Sequence, residues 1–151
     1  MDALADRYEA IGLVGLSMGG EQALTEAAGD ERVLAVVGEG VGLRTAADVA
    51  PGNPLERFVT GIGTGIADLL SSASPPQPLR DAVGQIAPRP VLLVAGSGEE
   101  RQVEWYRSVA PDWVSVEHLP QVPHTGALAH DPDWWRDTVC GALDAALVEG
   151  S

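Results

Sequence analysis

A single serine stands among glycines in Gly15-Leu16-Ser17-Met18-Gly19-Gly20, and three histidines, His118, His124 and His130, follow far downstream. A serine hydroxyl becomes a useful nucleophile only beside a base, and the base works best when a third group orients it. Gly15-x-Ser17-x-Gly19 has the spacing of a nucleophile elbow: a sharp, strained turn from strand to helix that lifts one hydroxyl clear of the backbone. Small residues two before and two after the serine are expected to let strand and helix pass closely. The N–H of Met18, at the start of the following helix, is placed to donate to an oxyanion. Of the histidines, His118 falls within a strand pattern and His130 flanks a helix start. His124 lies in the loop "PQVPHTGAL" and is the expected base. The orienting acid should leave the end of a strand between Ser17 and His124. Glu39 does so after one strand, and Glu99 and Glu100 after another, where they also suit the first turn of a helix.

The elements that must position these residues alternate. Ile11–Leu16 is a short apolar run, and Met18–Ala28 reads as a helix stopped by Gly29-Asp30. "RVLAVVGEG" (32–40) and "RPVLLVAGSG" (89–98) are buried-strand patterns, with Pro90 at a strand start. A helix over Glu99–Val109 and a fourth strand in "WVSVEHLP" (113–120) follow. Asp131-Pro132 is an N-cap with proline at the first helical position, opening a last helix with Val139, Leu143 and Ala146 as its apolar positions. Strands apolar on both faces, alternating with helices, predict an α/β domain: a parallel sheet of about four strands covered on both sides. Residues 42–86 are too long for an ordinary crossover and carry an apolar stretch, Phe58 to Leu70, beside "SSASPPQP" (71–78). They read as a lid-like or cap-like insertion within the domain. Residues 1–9 look like the end of a helix.

The 151 residues suffice for one domain and carry a net charge of −13, which argues against nucleic acid and anionic membrane surfaces as partners. No apolar run is long enough to span a bilayer, and "MDALADRYEA" lacks a secretion signal, so a cytoplasmic protein is expected. Cys140, the one cysteine, reads as a buried structural thiol on the last helix. Three histidines on a strand, a loop and a helix boundary do not make a zinc site.

"GLSMGG" as elbow, "PRPVLLVAGSGEE" as an acid-bearing strand and loop, and "VPHTGAL" as a histidine loop together resemble the C-terminal half of an α/β-hydrolase, in the order serine, acid, histidine. The flavour of "GLSMGGEQALTEAA" and "AVVGEG" is similar to dienelactone-hydrolase-like and acyl-thioesterase-like members. The resemblance implies a cofactor-free hydrolase of small-molecule esters or thioesters, with Ser17 as nucleophile and His124 as base. It favours Glu99 or Glu100 as the acid, while relatives with the acid one strand earlier keep Glu39 open. It also implies strands ahead of the elbow that these residues do not supply. The Ile11–Leu16 strand should therefore be an open edge, to be covered by a second copy or by the missing N-terminal half. The rival expectation is a catalytically silent α/β fragment acting as an interaction module or arising as a gene-call artefact.

Overall fold

The computed structural model describes residues 8–51, Leu55 and 76–149. Four strands, β1 (Ile11–Leu16), β2 (Val33–Glu39), β3 (Val91–Ala95) and β4 (Val114–His118), pair in parallel in the order β1-β2-β3-β4. The connecting helices are α1 (Met18–Gly29), α2 (Leu79–Ile86) and α3 (Glu100–Arg107); a short α4 (Ala127–His130) and a long α5 (Pro132–Glu149) follow β4. Strand pairs that follow chain order, joined by crossovers of one hand, put every connecting helix on the same face. Leu24 and Ala27 of α1, Leu79, Val83 and Ile86 of α2, and Val103 and Tyr106 of α3 accordingly share one core with Leu93 and Ala95. The alternate residues of β3, Leu92 and Val94, face the other way, onto Val37, Val122, Ala127 and Val139 beneath α4 and α5. Both faces of β3 are thus buried, as a continuous apolar run requires.

β2, β3, β4 and the first and last helices lie where the sequence places them, with ends moved by up to three residues. Asp131 caps α5, its Oδ1 accepting the Trp134 N–H at 3.0 Å. α2 is the crossover between β2 and β3. Its signal is the spacing of Leu79, Ala82, Val83 and Ile86, all fully buried on one helical stripe. The expected Phe58–Leu70 helix, most of "SSASPPQP", and nearly all of residues 1–9 lie outside the described residues. Cys140 corrects its reading: it is exposed, because Val139 takes the inward position and the next residue turns about 100° away.

β1 is an open edge. Ile11 N–H donates to Arg32 O at 2.8 Å and Ser17 N–H to Glu39 O at 2.8 Å, so the odd residues of the strand bond to β2. In a parallel pair a residue turns both its backbone groups to the same neighbour, so Gly12, Val14 and Leu16 aim theirs outward. The side chains of Val14 and Leu16 are also exposed.

The opposite, amino-terminal end of the sheet is closed by Arg89. Its guanidinium donates to the carbonyls of Ala27, Asp30, Val33 and Ile86 at 2.7–3.1 Å, drawing the end of α1, the start of β2 and the end of α2 together.

Candidate active site

Ser17 sits where β1 turns into α1 with φ 51° and ψ −123°, in left-handed backbone that a residue with a Cβ adopts only under constraint. Its side chain makes no helix cap. Instead, its Oγ lies 3.0 Å from His124 Nε2. Gly15 is what permits the turn: a Cβ there would fall 2.3 Å from Gly19 O and 2.5 Å from Gly20 N, both backbone atoms. A Cβ on Gly19 would meet nothing within 4 Å, so the second glycine of the motif is not a steric requirement. Gly20 is the tight one, with Val41 Cγ2 at 3.0 Å and Gly15 O at 3.1 Å from its virtual Cβ.

His124 leaves β4 on the loop before α4. Its Nδ1 lies 2.5 Å from Glu99 Oε1. The other oxygen of Glu99 accepts the Gly96 N–H at 2.7 Å, which locks the carboxylate onto the turn after β3. That turn is made by Gly98 at φ 83°. Ser17, His124 and Glu99 therefore form one hydrogen-bonded line across the carboxyl ends of β1, β3 and β4. Glu99 is mostly shielded, at 18% side-chain exposure, while the imidazole is 54% exposed and open to a reactant.

The side chains of the remaining candidates do not join this line. Glu100 opens α3 one residue beyond Glu99. Glu39 is 3% exposed and accepts the Ala127 N–H at 2.8 Å and the Trp135 Nε1–H at 2.9 Å. His118 pairs with Glu104 at 3.0 Å on the surface of β4 and α3, and His130 ends α4 in solvent. Met18, the expected oxyanion donor, opens α1 and is 73% exposed. The first N–H groups of a helix have no acceptor within it, so that amide makes no intrahelical bond.

One wall of the site is the segment after β2, and buried polar groups hold it. Tyr106 donates its hydroxyl to Gly42 O at 2.6 Å, and burial raises its phenol above the ordinary value. Burial likewise raises Glu21, against the pull of Arg44. Asp48, fully buried, accepts from the N–H groups of Thr45 and Arg80. Between this wall and His124 lies a cleft of about 280 Å³, with Val41, Leu43, Arg101 and Gln102 on its sides. A larger groove of about 570 Å³, between Trp113, Pro88 and Ala146, sits at the amino-terminal end of the sheet and contains none of the candidate residues. The smaller cleft is lined by His124 and Glu99 and not by Ser17.

Known structures match this architecture. An esterase of Pyrococcus furiosus superposes with a TM-score of 0.63 over 97% of this chain, at 20% identity. The fold is that of the α/β-hydrolases, in part. The chain spans 59% of that esterase's length. An α/β hydrolase from Penicillium gives a TM-score of 0.64 over 97% of this chain and 70% of its own, at 15% identity. The 2,6-dihydroxy-pseudo-oxynicotine hydrolase gives 0.64 over 99% of this chain and 45% of its own, at 22% identity. No family model and no curated sequence matches. Within this α/β-hydrolase fold, no helix among the described residues is long and apolar enough to cross a membrane.

Proposed function

We propose that the chain is a serine hydrolase of carboxylic esters or thioesters. The observation that carries this reading is the line Ser17 Oγ–His124 Nε2–Glu99 Oε1, at 3.0 and 2.5 Å, between residues brought together from three loops. His124 takes the proton of Ser17 as the hydroxyl oxygen attacks the substrate carbonyl carbon. Glu99 holds the Nδ1–H tautomer and stabilises the imidazolium. The carbonyl oxygen, now anionic, accepts the Met18 N–H. The tetrahedral adduct collapses, the bond to the alcohol or thiol breaks, and His124 Nε2–H protonates the leaving group. Water, deprotonated by His124, then attacks the acyl-Ser17 ester, releasing the acid and restoring the hydroxyl. The structural relatives named as esterases and hydrolases support the same class.

A fluorophosphonate probe should label Ser17 alone. Ser17→Ala and His124→Ala should each abolish labelling with the circular dichroism spectrum intact. Labelling that survives Ser17→Ala would remove the mechanism.

The open edge of β1 supports a second element of this proposal. Gly12, Val14 and Leu16 present backbone groups that a further strand would satisfy, and a bare apolar edge favours association. By itself the chain should turn over an aryl acetate slowly, since Met18 is the oxyanion donor identified among the described residues and a site with a single donor loses on the order of 10²–10³ in kcat for a missing second one. Light scattering coupled to size exclusion should find it above monomer mass. A stable monomer with ordinary esterase turnover would refute this element. Unlabelled Ser17 in an associating chain would favour the silent interaction module instead.

A further inference from the structure

Glu39 and Gly40 lie side by side at the end of β2, between the strand that delivers Ser17 and the strand that delivers Glu99. Both touch the line of the triad without being part of it. We propose that Glu39 and Gly40 form the seat that sets Ser17 against His124, with Glu39 a positioning residue; this rests on the serine-hydrolase reading.

Glu39 grips the two halves of the site from one residue. Its backbone carbonyl accepts the N–H of Ser17 at 2.8 Å and so fixes the elbow from the β2 side. Its side chain accepts the N–H of Ala127, three residues beyond His124, and the indole N–H of Trp135 on α5. The loop carrying His124 is thereby tied to the residue that carries Ser17. The chemistry of the position calls for a carboxylate. Two N–H donors converge on it, and only Glu or Asp offers two acceptor oxygens; a Gln would turn its amide NH₂ against one of them. At 3% exposure a carboxylate is costly to bury unless both oxygens are bonded, and here both are.

Gly40 supplies the space. Its φ is +63°, and a Cβ there would stand 2.8 Å from His124 Cε1, 2.9 Å from His124 Nδ1 and 3.0 Å from Thr125 Cγ2. The Cε1–Nδ1 side of the imidazole therefore lies against the glycine, and a side chain there would push the ring off the line to Ser17. Thr125, next to the histidine, is itself left-handed at φ 53°. Such a conformation persists only where its surroundings over-determine it, and Gly40 beneath and Ala127 bonded to Glu39 are those surroundings.

The test uses Glu39→Gln, Glu39→Leu and Gly40→Ala, with Arg89→Met as a variant that weakens the fold at the far end of the sheet. Two readouts are taken well below the melting temperature: the rate of fluorophosphonate labelling of Ser17, and the low-field proton resonance of His124 Nδ1–H bonded to Glu99. Glu39→Leu and Gly40→Ala should slow labelling by about 10²-fold, the scale of a misplacement near 1 Å, and shift or broaden the resonance. Glu39→Gln, keeping one acceptor, should fall between them and wild type. Arg89→Met should melt earlier and leave both readouts unchanged. Wild-type labelling and resonance in folded Glu39→Leu or Gly40→Ala would overturn the seat. So would losses in Arg89→Met as large as in the seat variants. If Glu39→Leu does not fold, Glu39→Gln and Gly40→Ala decide. If wild type itself is not labelled, the hydrolase reading fails, and the resonance alone decides the seat.

Discussion

At the carboxyl end of the sheet the backbone is left-handed at Ser17, Gly40, Gly98 and Thr125, which are the positive-φ positions among the described residues. At the amino end no described residue has a positive φ, the Ala87-Pro88 peptide is cis, and one guanidinium collects four carbonyls. The carboxyl end keeps polar atoms aimed at one another across loops, with the imidazole left half open. The amino end uses its polar atoms up on the backbone and fills the rest with apolar surface. The difference teaches where this fold tolerates strain: the amino end and the two cores hold the strands firmly enough that the other end can keep unfavourable backbone at a site.

The largest expected effect sharpens the contrast within the carboxyl end. Glu99→Gln should cut turnover or labelling by about 10⁴, the size of loss seen when a triad carboxylate becomes an amide, while Glu100→Gln stays near wild type. The reverse order would transfer the role to Glu100. Next comes the elbow itself. Gly15→Ala forces a Cβ into the backbone of Gly19 and Gly20 and should destabilise by more than about 3 kcal/mol. Gly19→Ala, in open space at the start of α1, should be neutral or stabilise by about 0.5–1 kcal/mol. Denaturant melts of the two separate them, and equal losses would mean that the motif's second glycine is a steric requirement after all. At the amino end, Arg89→Met should lower stability by about 2–3 kcal/mol, because charged hydrogen bonds vanish and carbonyls lose their partner. The smallest effect is electrostatic. Hydrogen bonds from Arg32 pull the carboxyl of Asp30 down to about 2. A depressed carboxylate stabilises the fold above its unfolded value, near 4, and that stability is lost as pH falls toward 2. Acid melts of Asp30→Asn should lack this loss, and identical acid profiles would break the assignment.

Much of this was legible in the sequence because it is local. The glycine-flanked serine, the apolar strands and the Asp131-Pro132 cap each declare themselves within a few residues. His124 followed from its loop, and Glu99 and Glu100 from the end of β3. The choice between those neighbours was not legible, since it turns on Gly98 at φ 83° aiming one side chain back toward Gly96. Glu39 stood among the acid candidates for the right reason, its place at a strand end. Its partners, Ala127 and Trp135, lie 88 and 96 residues away, and no spacing rule reaches that far. The structure bonds its carboxylate to them and gives His124 Nδ1 to Glu99. Gly40 was hidden because its importance lies in what approaches it. The α2 stripe was present in the sequence but obscured by the proline-rich segment before it.

The order β1-β2-β3-β4 means that each strand adds beside the one before it in the chain, and loop-closure cost grows only slowly with the length between them. The contact between Ser17 and His124 instead spans 107 residues. It closes the longest loop in the line from Ser17 to Glu99 and can form only after β4 has docked. Reactivity at Ser17 should then appear after secondary structure during refolding, and vanish before it during gentle denaturation, making the probe a clock for the last step of assembly.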